Sequence, residues 1–107
     1  MFKSLMATLA ILVLFSCGTD KKDLLVGEWK EVGTGNSIIQ YNSDGTYMYN
    51  YDDGTKTSGK WRLDGTVLYT TEKGESLELS EELTTLDETT LVSNVAGMFE
   101  TKYSRVK

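Results

Sequence analysis

Residues 41–71 read YNSDGTYMYNYDDGTKTSGKWRLDGTVLYTT, and the tripeptide Asp-Gly-Thr occurs in them three times, at Asp44-Gly45-Thr46, Asp53-Gly54-Thr55 and Asp64-Gly65-Thr66. Glycine reaches positive φ without steric cost, and aspartate tolerates it while bonding its own backbone, so Asp-Gly between apolar runs marks a tight hairpin. The runs between these turns alternate with a period of two. TYMYNY places Tyr47, Tyr49 and Tyr51 on one face, and SGKWRL sets Trp61 and Leu63 against Lys60 and Arg62. That period belongs to half-buried strands.

The same punctuation continues outward. Further breaks fall at Glu72–Glu75 and Val95–Met98, with a weaker one around Asp87, and the chain contains no proline. The intervening runs predict eight strands: Gly27–Val32, Ser37–Tyr41, Thr46–Tyr51, Ser58–Leu63, Thr66–Thr71, Ser76–Leu83, Thr89–Val95 and Phe99–Val106. In the last of these Phe99, Thr101 and Tyr103 oppose Glu100, Lys102 and Ser104. In ELSEELTTL the residues Leu79, Leu83 and Leu86 are spaced by four and then three, which also suits one helical turn. Evenly spaced strands joined by hairpins form an antiparallel meander, and closing it removes the two open edges. The expected fold is all-β, a small antiparallel up-and-down eight-stranded barrel.

The first residues read differently. Lys3 supplies a positive charge, and LMATLAILVLF, Leu5 to Phe15, is an unbroken apolar run. As a helix this run would rise about 16 Å, against a hydrocarbon core of roughly 30 Å, so it suits a signal peptide and not a membrane span. Leu14-Phe15-Ser16-Cys17 then resembles the lipobox of bacterial lipoproteins. The resemblance implies cleavage after residue 16, with Cys17 carrying the diacylglycerol and acyl chains such as palmitate. Two or three chains anchor stably where one is marginal. Gly18 in place of an aspartate after that cysteine points away from inner-membrane retention. The expected location is the bacterial cell envelope, on the outer membrane. Domain boundaries follow: a signal at 1–16, a lipidated cysteine and polar tether at 17–24, and the barrel domain at 25–107.

Across that domain LVGEWKEV, YNSDGTYMY, SGKWRLDGTVLYTT, LDETTLV and YSRVK resemble the small lipocalin-like domains of secreted bacterial lipoproteins. Gly27-Glu28-Trp29 reproduces the lipocalin Gly-x-Trp. In that family the tryptophan plugs one barrel end and an arginine near the end of the domain lies across it. The resemblance therefore implies that Gly27, Trp29 and Arg105 close this barrel.

The chemistry available is restricted. The chain of 107 residues has no histidine and one cysteine, and its net charge is −5. Triads built on histidine and most zinc sites are excluded, and no phosphate-binding glycine loop occurs. Removing residues 1–16 takes away Lys3 and leaves ten basic against sixteen acidic side chains. Such an acidic domain repels nucleic acid. The acidic turns YDDGT and YNSDGT offer oxygens for calcium, but they lack the EF-hand pattern and read as turns. No enzyme activity, cofactor or metal is expected.

The expected function is non-catalytic binding of a small apolar or amphipathic ligand inside the barrel, with Tyr47, Tyr49, Trp61, Tyr69 and Phe99 lining the interior. Buried phenols need partners or water, which a partly polar cavity supplies. Arg62 and Lys60 could face an anionic headgroup or simply coat the outer wall. Glu81 and Glu82 read as surface charge. The alternative is an envelope scaffold with a filled core that contacts a protein partner through an outer patch including Ile38, Met48 or Val92.

Overall fold

Two of the three Asp-Gly-Thr turns act through one repeated device. The Asp44 carboxylate accepts hydrogen bonds from the Thr46 backbone N–H at 3.0 Å and from the Thr46 hydroxyl at 2.6 Å. Asp53 holds Thr55 in the same way, at 2.9 and 2.7 Å. Gly45 and Gly54 take φ of +88° and +94° between them, where a side chain would be strained. These bonds keep both carboxyls below the ordinary carboxylate range. The break at Asp87 uses the same clamp without a glycine: its carboxylate accepts from the backbone N–H groups of Thr89 and Thr90. The aspartates are thus occupied in holding turns, and among the described residues no group of three acidic side chains converges as a metal site.

The computed structural model describes residues 20–33 and 35–106; the signal segment and Cys17 lie outside the described residues. A short helix α1 (Lys21–Leu25) precedes strands β1 (Gly27–Glu31), β2 (Ile38–Tyr41), β3 (Thr46–Asn50), β4 (Lys56–Asp64), β5 (Val67–Glu72), β6 (Leu79–Leu86), β7 (Thr90–Val95) and β8 (Phe99–Arg105). Each strand pairs antiparallel with the next, and β8 returns to pair with β1, so the sheet closes as an eight-stranded barrel. No edge strand is left for pairing with another chain.

Two places depart from the sequence reading. The stretch ELSEELTTL is strand from Leu79 to Leu86, and its apparent helical spacing has a local cause. The register between β6 and β7 shifts between Leu83 and Thr85. A bulge of this kind inserts one residue, so Leu86, three positions after Leu83, returns to the inner face. The same strand begins at Leu79 instead of Ser76. The second departure is the tether. Asp20 caps α1 by accepting from the Lys22 N–H at 3.1 Å, and Leu25 at the end of α1 is fully buried in the core. Among the described residues, 20–24 of the stretch read as tether are a helix cap and helix.

The core runs down the barrel axis, where Trp29, Ile39, Tyr41, Tyr47, Trp61, Leu68, Leu83, Leu91 and Tyr103 pack with Leu25. Gly59 sits where β4 changes neighbours. Strand β4 pairs with β3 through residues 56–60 and with β5 through 59–64. A Cβ at Gly59 would collide with the Thr71 carbonyl oxygen, so the strand can turn this corner only with glycine there.

Candidate functional site

The two ends of the barrel differ in kind. At one end α1 and the loops 42–45, 65–66 and 87–89 gather around Trp29. The Trp29 indole N–H donates to the Leu25 carbonyl at 2.9 Å. The Arg105 guanidinium lies over the Trp29 ring, 4.2 Å from its centroid. Arg105 also donates to the carbonyls of Leu24, Val26 and Glu88, the last two at 3.0 and 2.8 Å. The last carbonyls of a helix have no intrahelical partner and carry partial negative charge, so a cation placed there satisfies both requirements. Gly27, with φ +135°, stands where a Cβ would strike Arg105 Nη1. Only glycine leaves the guanidinium its place between α1 and β1. Gly27, Trp29 and Arg105 are thus brought into one assembly that seals this end.

The other end carries the loops 32–37, 51–55, 73–78 and 96–98. Along the inward side of each long strand, exposure falls from this end toward the seal. On β8 it drops from Phe99, 65% exposed, through half-buried Thr101 to Tyr103 at 9%. On β6 it drops from Leu79 at 59% through half-buried Glu81 to Leu83 at 6%. Strand β7 goes from Val95 at 40% to buried Ser93 and Leu91. Leu79, Val95 and Phe99 lie at the loop end, past the last pairings Glu82↔Asn94 and Glu31↔Tyr103. The inner face is thus graded like a cup, from an exposed rim of Leu79, Val95 and Phe99 to a buried floor of Tyr41, Tyr47, Trp61 and Tyr103.

The aromatic floor is built by contacts between strands. Tyr41 meets Trp61 edge-on with centroids 5.8 Å apart, and meets Tyr47 at 6.4 Å with the rings tilted by 51°. These are favoured arrangements for aromatic quadrupoles. The Trp61 indole N–H is fixed by the Asn42 carbonyl at 3.0 Å. Higher in the cup Tyr49 stacks on Tyr51 at 4.4 Å and interacts through its hydroxyl with Tyr103. Burial raises the pKa of Tyr41, Tyr47, Tyr49 and Tyr103, and the nearby Glu81 carboxylate adds to the shift at all four. All four phenols are therefore protonated at neutral pH and available as donors.

Tyr47, Tyr49 and Trp61 face the interior, and Phe99 stands on the rim. Tyr69 does not line the cup. The hairpin register pairs Leu63 with Leu68 and Arg62 with Tyr69, so Leu68 points inward and Tyr69 points out. Its ring carries the Arg62 guanidinium at 4.0 Å, and Arg62 in turn holds Glu78 through two hydrogen bonds of 2.9 and 3.0 Å. Arg62 is thus part of the outer wall and not a headgroup contact at the mouth. Of the side chains read as a possible outer patch, Val92 is buried, Ile38 is half-buried, and Met48 is exposed. Met48 borders a groove of about 550 Å³ on the outside of β3, β4 and β5, with Lys60, Thr71 and Lys73 along it.

Sequence reasoning missed Glu81. It belongs to the inner row, since the registers align Leu63, Leu68 and Glu81 across three strands. Glu82 alone faces out, where the Thr66 hydroxyl donates to it at 2.6 Å. The signal was present: with Leu79 and Leu83 both inward on one strand, the residue midway must share their face.

Protein-family models give no match to this chain, and a search of curated proteins returns no match. Among solved structures, a lipocalin-like protein from Bacteroides uniformis ATCC 8492 is similar, with a TM-score of 0.60 at 16% sequence identity. The likeness covers 78% of this chain and 99% of that one. It shows that the fold is that of a lipocalin-like barrel.

Proposed function

We propose that the protein binds a small amphipathic molecule non-catalytically in the cup of its barrel. The observation that carries this reading is the graded exposure of the inward side chains, which leaves half-buried polar groups between an exposed apolar rim and a buried aromatic floor. Pockets that mix apolar walls with a few oriented polar groups are the usual form of small-molecule sites. Here apolar Leu79, Val95 and Phe99 at the rim lie above the hydroxyls of Thr70, Thr101 and Tyr49 and the Glu81 carboxylate. The proposal includes a lipid anchor at Cys17 and placement on the outer membrane, supported by the lipobox-like Leu14-Phe15-Ser16-Cys17. Helix α1 lies at the sealed end, so a chain anchored just before it would hold the mouth away from the membrane.

The test is a titration of the purified full chain with hexan-1-ol, hexanoate and hexylammonium, following fluorescence from Trp61. The floor position of Trp61 makes it the reporter. Saturable quenching by at least one probe in the micromolar to millimolar range, about 4–8 kcal/mol, is expected. It should disappear in Thr101→Trp, whose indole fills the lumen. A flat response to all three, together with no small molecule released on denaturing extraction, would end the ligand reading.

A second reading is a protein-interaction module, and the groove beside Met48 is the observation in its favour. Crosslinking in intact envelopes separates the two. A stoichiometric partner lost on Met48→Glu supports the second reading.

A further inference from the structure

Three carboxylates belong to the inner face: Glu31 and Glu81, both half-buried, and Glu72 at the exposed end of β5. Lysines 30, 56, 60 and 102 occupy the opposite parity and face out. The inward-facing basic residue is Arg105, which lies behind Trp29 and donates to main-chain carbonyls there. Among the described residues Glu81 takes part in no ion pair or side-chain hydrogen bond, since the ion pair present is Arg62 with Glu78 on the outside. A half-buried carboxylate without a countercharge is unfavourable unless something supplies one.

The second observation is independent of the acids. Tyr41 and Ser93 are both more than nine-tenths buried, at 4% and 3% exposure. Neither hydroxyl has a hydrogen-bond partner among the described residues, and Tyr41 lies near enough to Glu81 for the carboxylate to oppose its ionisation. Ser93 belongs to the inner row of Leu83 and Thr101, and Tyr41 to the floor beside Tyr47. The surroundings of Glu81 are thus phenol rings and free hydroxyls. Such a setting pairs a carboxylate with aromatic π faces, which attract an organic cation, and leaves acceptor oxygens for its N–H groups.

We propose that the ligand of the cup is an organic cation whose ammonium group sits against Glu81, among Tyr41, Tyr47, Tyr49 and Tyr103, with its apolar part directed to the rim. This deepens the binding function proposed above and rests on it. An anionic amphiphile of the same size would meet three inward carboxylates and no cation within the cup. The carboxylates would also draw a cation toward the mouth before it binds.

The same three six-carbon probes decide the matter on the full chain, because they differ only in the head. Hexylammonium is expected to bind about tenfold more tightly than hexan-1-ol, the margin of a charge-assisted over a neutral contact, and hexanoate most weakly. Glu81→Gln keeps size and hydrogen-bonding capacity, so it should bring the hexylammonium affinity down to that of hexan-1-ol measured on the same variant. Thr101→Lys places a cation inside the same lumen and should reverse the order toward hexanoate. Equal binding of all three probes, tightest binding of hexanoate, or an undiminished preference in Glu81→Gln with normal hexan-1-ol binding would each overturn the cation assignment and leave the cup intact. Failure of every probe is the separate outcome that removes the cup reading itself.

Discussion

The sealed end and the mouth of this barrel are made from the same strands, yet they solve opposite problems. At the sealed end every polar group is consumed locally: the Trp29 N–H by Leu25, and three Arg105 donors by the carbonyls of Leu24, Val26 and Glu88. At the mouth, apolar side chains such as Met98 and Phe99 remain exposed, and the inward hydroxyls of Thr70 and Thr101 below them make no hydrogen bond among the described residues. Exposed apolar surface and unassigned polar groups are what stability alone would remove. The groups that hold the fold are thus gathered at one end, and the binding proposed above draws on the other.

Substitutions can break that contrast or sharpen it. The largest expected effect is at the seal. Trp29 is completely buried, so Trp29→Ala should cost about 3–5 kcal/mol of stability, read from urea denaturation followed by far-UV circular dichroism. A loss below about 1 kcal/mol would show that the plug is not where the fold is held. Next is Arg105→Ala, expected to cost about 2 kcal/mol because buried carbonyls lose charged donors. Arg105→Lys should recover less than half of that, since an ammonium cannot span three carbonyls and stack on an indole as a planar guanidinium does. Full recovery by lysine would reduce the role of Arg105 to its charge. The smallest stability change is expected at the rim. Phe99→Ser combined with Met98→Ser should stay within about 0.5 kcal/mol of the parent, as for other exposed positions, while weakening six-carbon probes several-fold. A large loss of stability there would mean that the rim is structural and erase the contrast.

Much of the fold was legible before any coordinates, and the reasons are local. Each Asp-Gly-Thr carries its own turn chemistry in three residues, and the alternation of TYMYNY needs no knowledge of neighbours. The strand ELSEELTTL was ambiguous because a bulge is a property of a strand pair: only its pairing with β7 reveals that one residue is extra. The Tyr69 assignment failed for a related reason. Aromatic character suggested an inward side chain, but facing follows register, and the two-residue Gly65-Thr66 turn puts Tyr69 beside Arg62. Counting across that turn would have given the correct face. Glu81 was concealed by its charge, which is ordinarily read as solvent-facing; its position between Leu79 and Leu83 said otherwise.

By itself the sequence determined the strand number and the hairpin order, because turns and period-two patterning are set by residues within a few positions of each other. Tertiary structure alone decided that β8 returns to β1 and closes the barrel, that the exposure of inward side chains is graded, that Leu25 joins the core from a capped helix, and that four tyrosines lie near one carboxylate. Those facts depend on the stagger of eight strands around a common axis. That stagger brings Tyr41, Tyr103 and Glu81 together from three different parts of the chain, and no local pattern encodes it.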